Sequence, residues 1–180
     1  DVGKGFRVGQ VERMDRDFHF RWASADDYDL LGQIMFDAVR NGESRYSEAQ
    51  RAAWAPAPRS GPEWAARLES QEIVLADRDG EAVGFVSLAA GGYVDFAYIR
   101  PEAQHSALFR RLVARIAERA AAKGEPLLWT HASLTAEAAF ERLGFTVRRR
   151  ERVELGGESF ERCEMEMPLA RGGPSPRLWG

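Results

Sequence analysis

A chain of 180 residues is the length of one domain, and 44% hydrophobic with 29% charged residues is the balance of an ordinary globular protein. The single cysteine, Cys163, excludes an internal disulfide framework and any multi-cysteine zinc site. A net charge of −3, from 25 Lys+Arg against 28 Asp+Glu, argues against a protein built mainly to hold nucleic acid. The longest uncharged run, 82–94, is broken by glycines and falls short of the ~18 residues that point to a membrane span. No apolar signal segment opens the sequence, so the expected location is cytoplasmic, with no membrane partner.

Residues 1–17 show no sustained period and read as an N-terminal arm. Phe18, Phe20 and Trp22 alternate with His19 and Arg21, the period of a half-buried strand, which leaves His19 exposed. Ser24 and Asp27 resemble a helix cap, and Leu31, Ile34, Met35 and Ala38 share one helical face that ends at Asn41-Gly42. Ser47 opens a second short helix that ends near Trp54, before Pro56 and Pro58. Ser60 and Glu63 form a capping box for a third, with Pro62 in its first turn and Trp64 and Leu68 on its apolar face.

A meander of strands follows: 73–76, the polar turn 77–81, then 82–89 and 93–100 across Ala90-Gly91-Gly92. A long helix is expected over about 104–123, with Leu108, Leu112, Ile116 and Ala120 as its stripe and Gly124 after its end. The strand 127–131 lies one helix after 93–100, so a right-handed crossover makes the two parallel. A helix over 135–143 stops at Gly144, and a hairpin pairs 145–155 with 158–169 across Gly156-Gly157, placing Cys163 on the apolar face. Residues 170–180 form a C-terminal tail. The order predicts one α/β domain over 18–169 with a mixed, mostly antiparallel sheet of about seven strands flanked by helices. The run Arg148-Arg149-Arg150-Glu151-Arg152 divides between the two faces of a strand and reads as solvated surface. No metal-binding, Walker or Gly-x-Ser-x-Gly motif is present, so no metal is expected.

The segment from Tyr98 to Gln104 resembles the acetyl-CoA segment of the GNAT N-acetyltransferases. The stretch from Ala132 to Phe145 is similar to that family's last helix and its closing Gly-Phe, and Tyr46 to Trp54 resembles its bacterial YafP-like branch. The resemblance covers about 18–169 and implies the acyl-CoA N-acyltransferase fold with a splayed parallel pair. It also implies acetyl-CoA as acyl donor and an amine of a small molecule or peptide as acceptor, attacked directly in a ternary complex. In such a site the pantetheine pairs with the exposed strand edge at the splay, and the pyrophosphate sits on the amides that open the next helix.

On that resemblance the cofactor residues are Ala97, Tyr98, Ile99, Gln104, His105, Ser106, Ala107, Leu108, Phe109, Arg110, Arg111 and Ser133. Asp95, Tyr98, His131 and Ser133 are the catalytic candidates, and Tyr46 and Trp54 are the acceptor-side candidates. Two positions depart from the family. Its Gln/Arg-x-x-Gly-x-Gly/Ala loop reads here with Ala107 and Phe109 in place of the glycines, and its tyrosine acid reads Phe140. These departures keep two alternatives open: a catalytically impaired module of the same fold that binds CoA weakly or not at all, and an enzyme for a longer acyl-CoA. A homodimer is one option for the assembly.

Overall fold

The computed structural model describes residues 17–170; the expected arm and tail lie almost wholly outside them. Strands β1 (Phe18–Trp22), β2 (Glu72–Arg78), β3 (Glu81–Ala89), β4 (Tyr93–Ile99), β5 (Leu127–Ser133), β6 (Thr146–Leu155) and β7 (Glu158–Pro168) form a sheet in the order β1-β2-β3-β4-β5-β7-β6. Every neighbouring pair is antiparallel except β4 and β5. Helices α1 (Tyr28–Asn41), α2 (Glu48–Trp54), α3 (Gly61–Leu68), α4 (Leu108–Ala122) and α5 (Leu134–Arg142) complete the domain.

Two apolar clusters lie on the two faces of the sheet. Leu108, Leu112, Val113 and Ile116 of α4 and Phe140 of α5 join Val86, Val94, Leu128, Cys163 and Met165. Leu31, Ile34 and Met35 of α1 and Trp64 and Leu68 of α3 join Leu75, Phe85 and Phe96. The alternation of strand side chains sorts the residues between these clusters. Cys163 is fully buried as expected, and burial pushes its thiol up to about 11, which makes it an inert packing residue. The turns Asp79-Gly80 and Gly156-Gly157 hold positive φ at both positions, the geometry of tight hairpins.

Some local expectations are corrected. Asp27 does answer Ser24, accepting from its N–H at 2.8 Å, and it is also gripped by both terminal nitrogens of Arg21. Ser60 makes no side-chain cap bond, so the expected Ser60–Glu63 box does not form, although Pro62 does sit in the first turn of α3. The long helix opens at Leu108 rather than about 104. A 3-10 turn occupies Pro101–Ala103, Gln104 is extended and His105 takes φ 60°. Ser106 explains the later start. Its hydroxyl donates to Ala103 O at 2.7 Å and accepts from Leu108 N–H at 3.2 Å, which serves as the cap.

The feature that positions everything else is the junction of β4 with its neighbours. Opposite Ser87, β4 bulges: Leu88 pairs with Val94 and Val86 with Ala97, so Asp95 and Phe96 share one place in the ladder. The buried Ser87 hydroxyl accepts from Phe96 N–H at 2.9 Å and holds the bulge. On the other edge, β4 pairs with β5 only at Tyr93–Trp129 and Val94–Thr130, closed by a bond from Thr130 Oγ1 to Val94 O of 2.9 Å. Beyond it the two strands diverge. Ser87→Ala leaves the buried Phe96 N–H unpaired and is expected to cost about 1–3 kcal/mol, read as a lower urea midpoint at unchanged slope.

Candidate active site

The divergence of β4 and β5 opens a cleft of about 870 Å³, lined by β4, β5, α2, the segment before α4, α5 and β7. Fourteen of the sixteen expected site residues line it: Tyr46, Trp54, Asp95, Ala97, Tyr98, Ile99, Gln104, His105, Ser106, Ala107, Phe109, Arg110, His131 and Ser133 border one space. The side chains of the other two, Leu108 and Arg111, do not line it. Leu108 is fully buried, its side chain spent on the core. Arg111 lies over the Phe20 ring at 4.7 Å from its centroid, because one residue after Arg110 the helix has turned it toward β1.

At the anion end, Gln104 Nε2 donates to Ile99 O at 3.0 Å, which fastens the loop to the end of β4. His105 meets Glu43 at 2.9 Å, with both side chains largely in solvent. Arg110 and Arg142 are cations on this part of the cleft wall. Phe109 and Phe140, the two departures from the family pattern, touch each other. Their rings stand edge to face at 5.0 Å, and Phe140 packs in the same way on Phe145 at 4.9 Å. Phe109 is thereby held against the core as one wall of the cleft.

The floor is formed by side chains that share one face of β4, β5 and β7. Asp95 is tied on both oxygens: Arg67 donates to it at 2.8 and 3.1 Å and Gln71 Nε2 at 2.7 Å. Only 8% of its side chain is exposed, so it is a clamp between β4 and α3. Tyr98 is half-buried, and burial pushes its phenol up to about 12, with the nearby Trp54 and Arg59 pulling the other way. Tyr46 is buried. Its hydroxyl donates to Glu161 O at 2.6 Å and accepts from Leu134 N–H at 3.1 Å, so the phenol joins β7 to the start of α5. Tyr46, Trp54 and Phe160 form a three-ring wall with centroids 5.4–5.6 Å apart. Ser133 Oγ caps α5 by accepting from Ala136 N–H at 3.2 Å, and its own hydrogen is left to donate.

His131 has a partner that the sequence reading missed. Tyr93 Oη lies 2.9 Å from His131 Nδ1, while Nε2 faces Glu151 at 3.7 Å and Glu164 at 3.9 Å. Arg162 donates to Glu151 at 2.6 Å, and Arg149 reaches both carboxylates at 3.4 Å. Burial lowers the imidazole below its usual value, with the charge of Arg162 adding to this and Glu151 and Glu164 opposing it. Burial likewise raises the Tyr93 phenol, so it is protonated at neutral pH. Only the strand register reveals this cluster: His131 pairs with Glu164, Glu151 with Arg162, and Tyr93 with Trp129. The other arginines of the 148–152 run meet carboxylates as well, Arg150 at Glu137, Arg152 at Glu161 and Arg148 at Glu166.

The comparisons agree with this geometry. Residues 43–167 match the acetyltransferase (GNAT) domain family. The chain is 33% identical over 135 residues to the uncharacterized N-acetyltransferase YafP of Escherichia coli (strain K12), covering 74% of this chain and 85% of that one. A GCN5-related N-acetyltransferase of Rhodopseudomonas palustris superposes with a TM-score of 0.78 at 28% identity, over 84% of this chain and 95% of the other. The phosphinothricin acetyltransferase of Sinorhizobium meliloti, solved with acetyl-CoA, shares the fold at a TM-score of 0.66 and 21% identity, over 91% and 96%. The protein belongs to the GNAT acetyltransferase family and is an acetyltransferase, on the YafP-like side of that family.

Among the described residues no group of His, Cys, Asp and Glu could hold a metal ion, and no helix is long and apolar enough to cross a membrane. Asp95→Asn removes the charge and turns one of the two accepting oxygens into a donor that faces Arg67 and Gln71 in a nearly buried place. It is expected to lower stability by about 1–3 kcal/mol, toward the low end because Arg67 is half in solvent, as measured by urea denaturation.

Proposed function

We propose that the protein transfers an acetyl group from acetyl-CoA to a primary amine of a small molecule or peptide, by direct attack within a ternary complex. The observation that carries this reading is the edge of β4 opened by its divergence from β5, beside a cleft with the start of α4 at one end and Tyr93, His131 and Ser133 at its floor. Solved structures of the same fold hold acetyl-CoA or coenzyme A, which supports acetyl-CoA as the donor here. The pantetheine amides pair with the open edge over Asp95–Ile99. The pyrophosphate lies near Ser106–Arg110, where the helix amides and the Arg110 and Arg142 side chains offset its charge. Phe109, held by Phe140, borders the arm of the cofactor as an apolar wall.

The amine nitrogen attacks the thioester carbon, a C–N bond forms and the C–S bond breaks. One proton leaves the nitrogen for Tyr93 Oη as Tyr93 passes its own proton to His131 Nδ1. Glu151 and Glu164, opposite Nε2, balance the imidazolium that results. This order follows from the protonated phenol, which donates to Nδ1 and so leaves the resting imidazole proton on Nε2. Ser133 donates a hydrogen bond to the departing sulfur, which takes its proton from solvent. Tyr98, with its phenol near 12, stays protonated and bounds the acceptor side. Asp95 holds α3 in place, Tyr46 shapes the wall, and Trp54 faces the acceptor.

Calorimetry with acetyl-CoA is expected to show saturable binding; no binding to folded protein at millimolar ligand would overturn the proposal. A base with a lowered pKa is active in its neutral form. Activity is therefore expected to rise with pH through an apparent pKa below 6.5 and to be level at neutral pH. His131→Gln is expected to lose that limb and about 10²–10⁴-fold in kcat, with the KM for acetyl-CoA unchanged.

A further inference from the structure

Four arginines line the acceptor half of the cleft, and three of them are answered. Arg51 donates to the carbonyls of Val39, Arg40 and Gly42 at 2.6–2.9 Å, where α1 ends. Arg67 is held by Asp95 and Arg162 by Glu151. Arg59 has neither a hydrogen bond nor an ion pair among the described residues. Its guanidinium lies 5.5 Å from the centroid of the Trp64 ring and is half-buried in the cleft wall. Its charge reaches the Tyr98 phenol, so it stands on the same side of the sheet as the acceptor-facing rings.

Arg59 is also firmly placed. Gly32 of α1 lets the Arg59 carbonyl approach so closely that a Cβ at Gly32 would lie 1.9 Å from it. Pro56 and Pro58 stiffen the connection before it, and Arg40 Nη1 holds Ala55 O at 3.1 Å. A half-buried cation that meets no carboxylate gives up hydration and gains only a ring contact, an arrangement that favours a ligand anion. The same charge disfavours a polycationic acceptor.

We infer that Arg59 is the anchor for a carboxylate on the acceptor, and that the acceptor is an amine carrying one such anion on an apolar or aromatic body. The inference rests on the acetyl-transfer reading for the amine and on Arg59 alone for the carboxylate. The rings of Trp54 and Tyr98 bound the space for the apolar body, and the planar guanidinium takes a carboxylate in a two-bond fork.

The test compares acceptors that differ only in the anion: phenylalanine against 2-phenylethylamine, and 4-aminomethylbenzoate against benzylamine, which place the carboxylate at two distances from the nitrogen. At least one carboxylated member is expected to have a kcat/KM tenfold or more above its partner. Arg59→Gln is expected to erase that ratio through KM, Arg59→Lys to keep part of it, and neither to change the KM for acetyl-CoA. Equal or better use of the uncharged member in both pairs, or a ratio that survives Arg59→Gln, overturns the anchor. Calorimetric binding of 3-phenylpropionate, lost in Arg59→Gln, reads the anchor without the chemistry. A protein that binds this acid but acetylates no amine therefore supports the anchor and overturns the acetyl-transfer reading.

Discussion

The site depends on one interruption in the sheet. A parallel pair normally continues along its length, but here the ladder between β4 and β5 ends after Val94 and Thr130. Two buried hydroxyls define where it ends. Thr130 closes the last pair, and Ser87 takes the Phe96 amide at the bulge. A bulge adds a residue and a bend to one strand only, so β4 turns away while β5 remains paired to β7 through Ser133. The open edge and the cleft follow from that divergence, while the short paired stretch before it sets Tyr93 against His131.

The two departures from the family pattern are one structural event. A bulky ring where the cofactor loop usually has a small residue, and a ring without a hydroxyl where an acid usually stands, would each look damaging alone. Phe109 and Phe140 meet edge to face, the arrangement that aromatic quadrupoles favour. The pair extends the core to the cleft wall through Phe145. The titratable groups of the floor lie on its other side, where carboxylates from β6 and β7 face a histidine of β5.

Charge is distributed with the same economy. The arginines of β6 are spent on carboxylates across the hairpin and on α5, leaving an ion-paired surface rather than a polyanion site. Arg51 answers the carbonyl end of α1, where a helix dipole favours a cation. Against this background the lack of a hydrogen bond or ion pair for Arg59 among the described residues, with only the Trp64 ring beside it, bears on the proposed acceptor.

Periodicity and turn chemistry by themselves determined the elements and their order. The alternation around Cys163, the Gly156-Gly157 turn and the apolar stripe of α4 each have one structural solution, and the motif resemblance placed the cofactor strand. Most of the cleft lining was legible for that reason. Side-chain partnership was not, because it depends on which residues lie opposite one another across strands distant in sequence. Asp95 reads as a base until Arg67 and Gln71 are seen to hold it. Tyr93 reads as the first residue of a strand until the parallel register with β5 brings its hydroxyl to His131. Arg111 reads as a phosphate ligand until the helix turns it onto Phe20. The sequence determined which groups were present and on which elements. The tertiary structure alone decided which of them neutralise each other and which remain for a ligand, since hydrogen bonds and ion pairs are settled over a few ångströms that no linear spacing encodes.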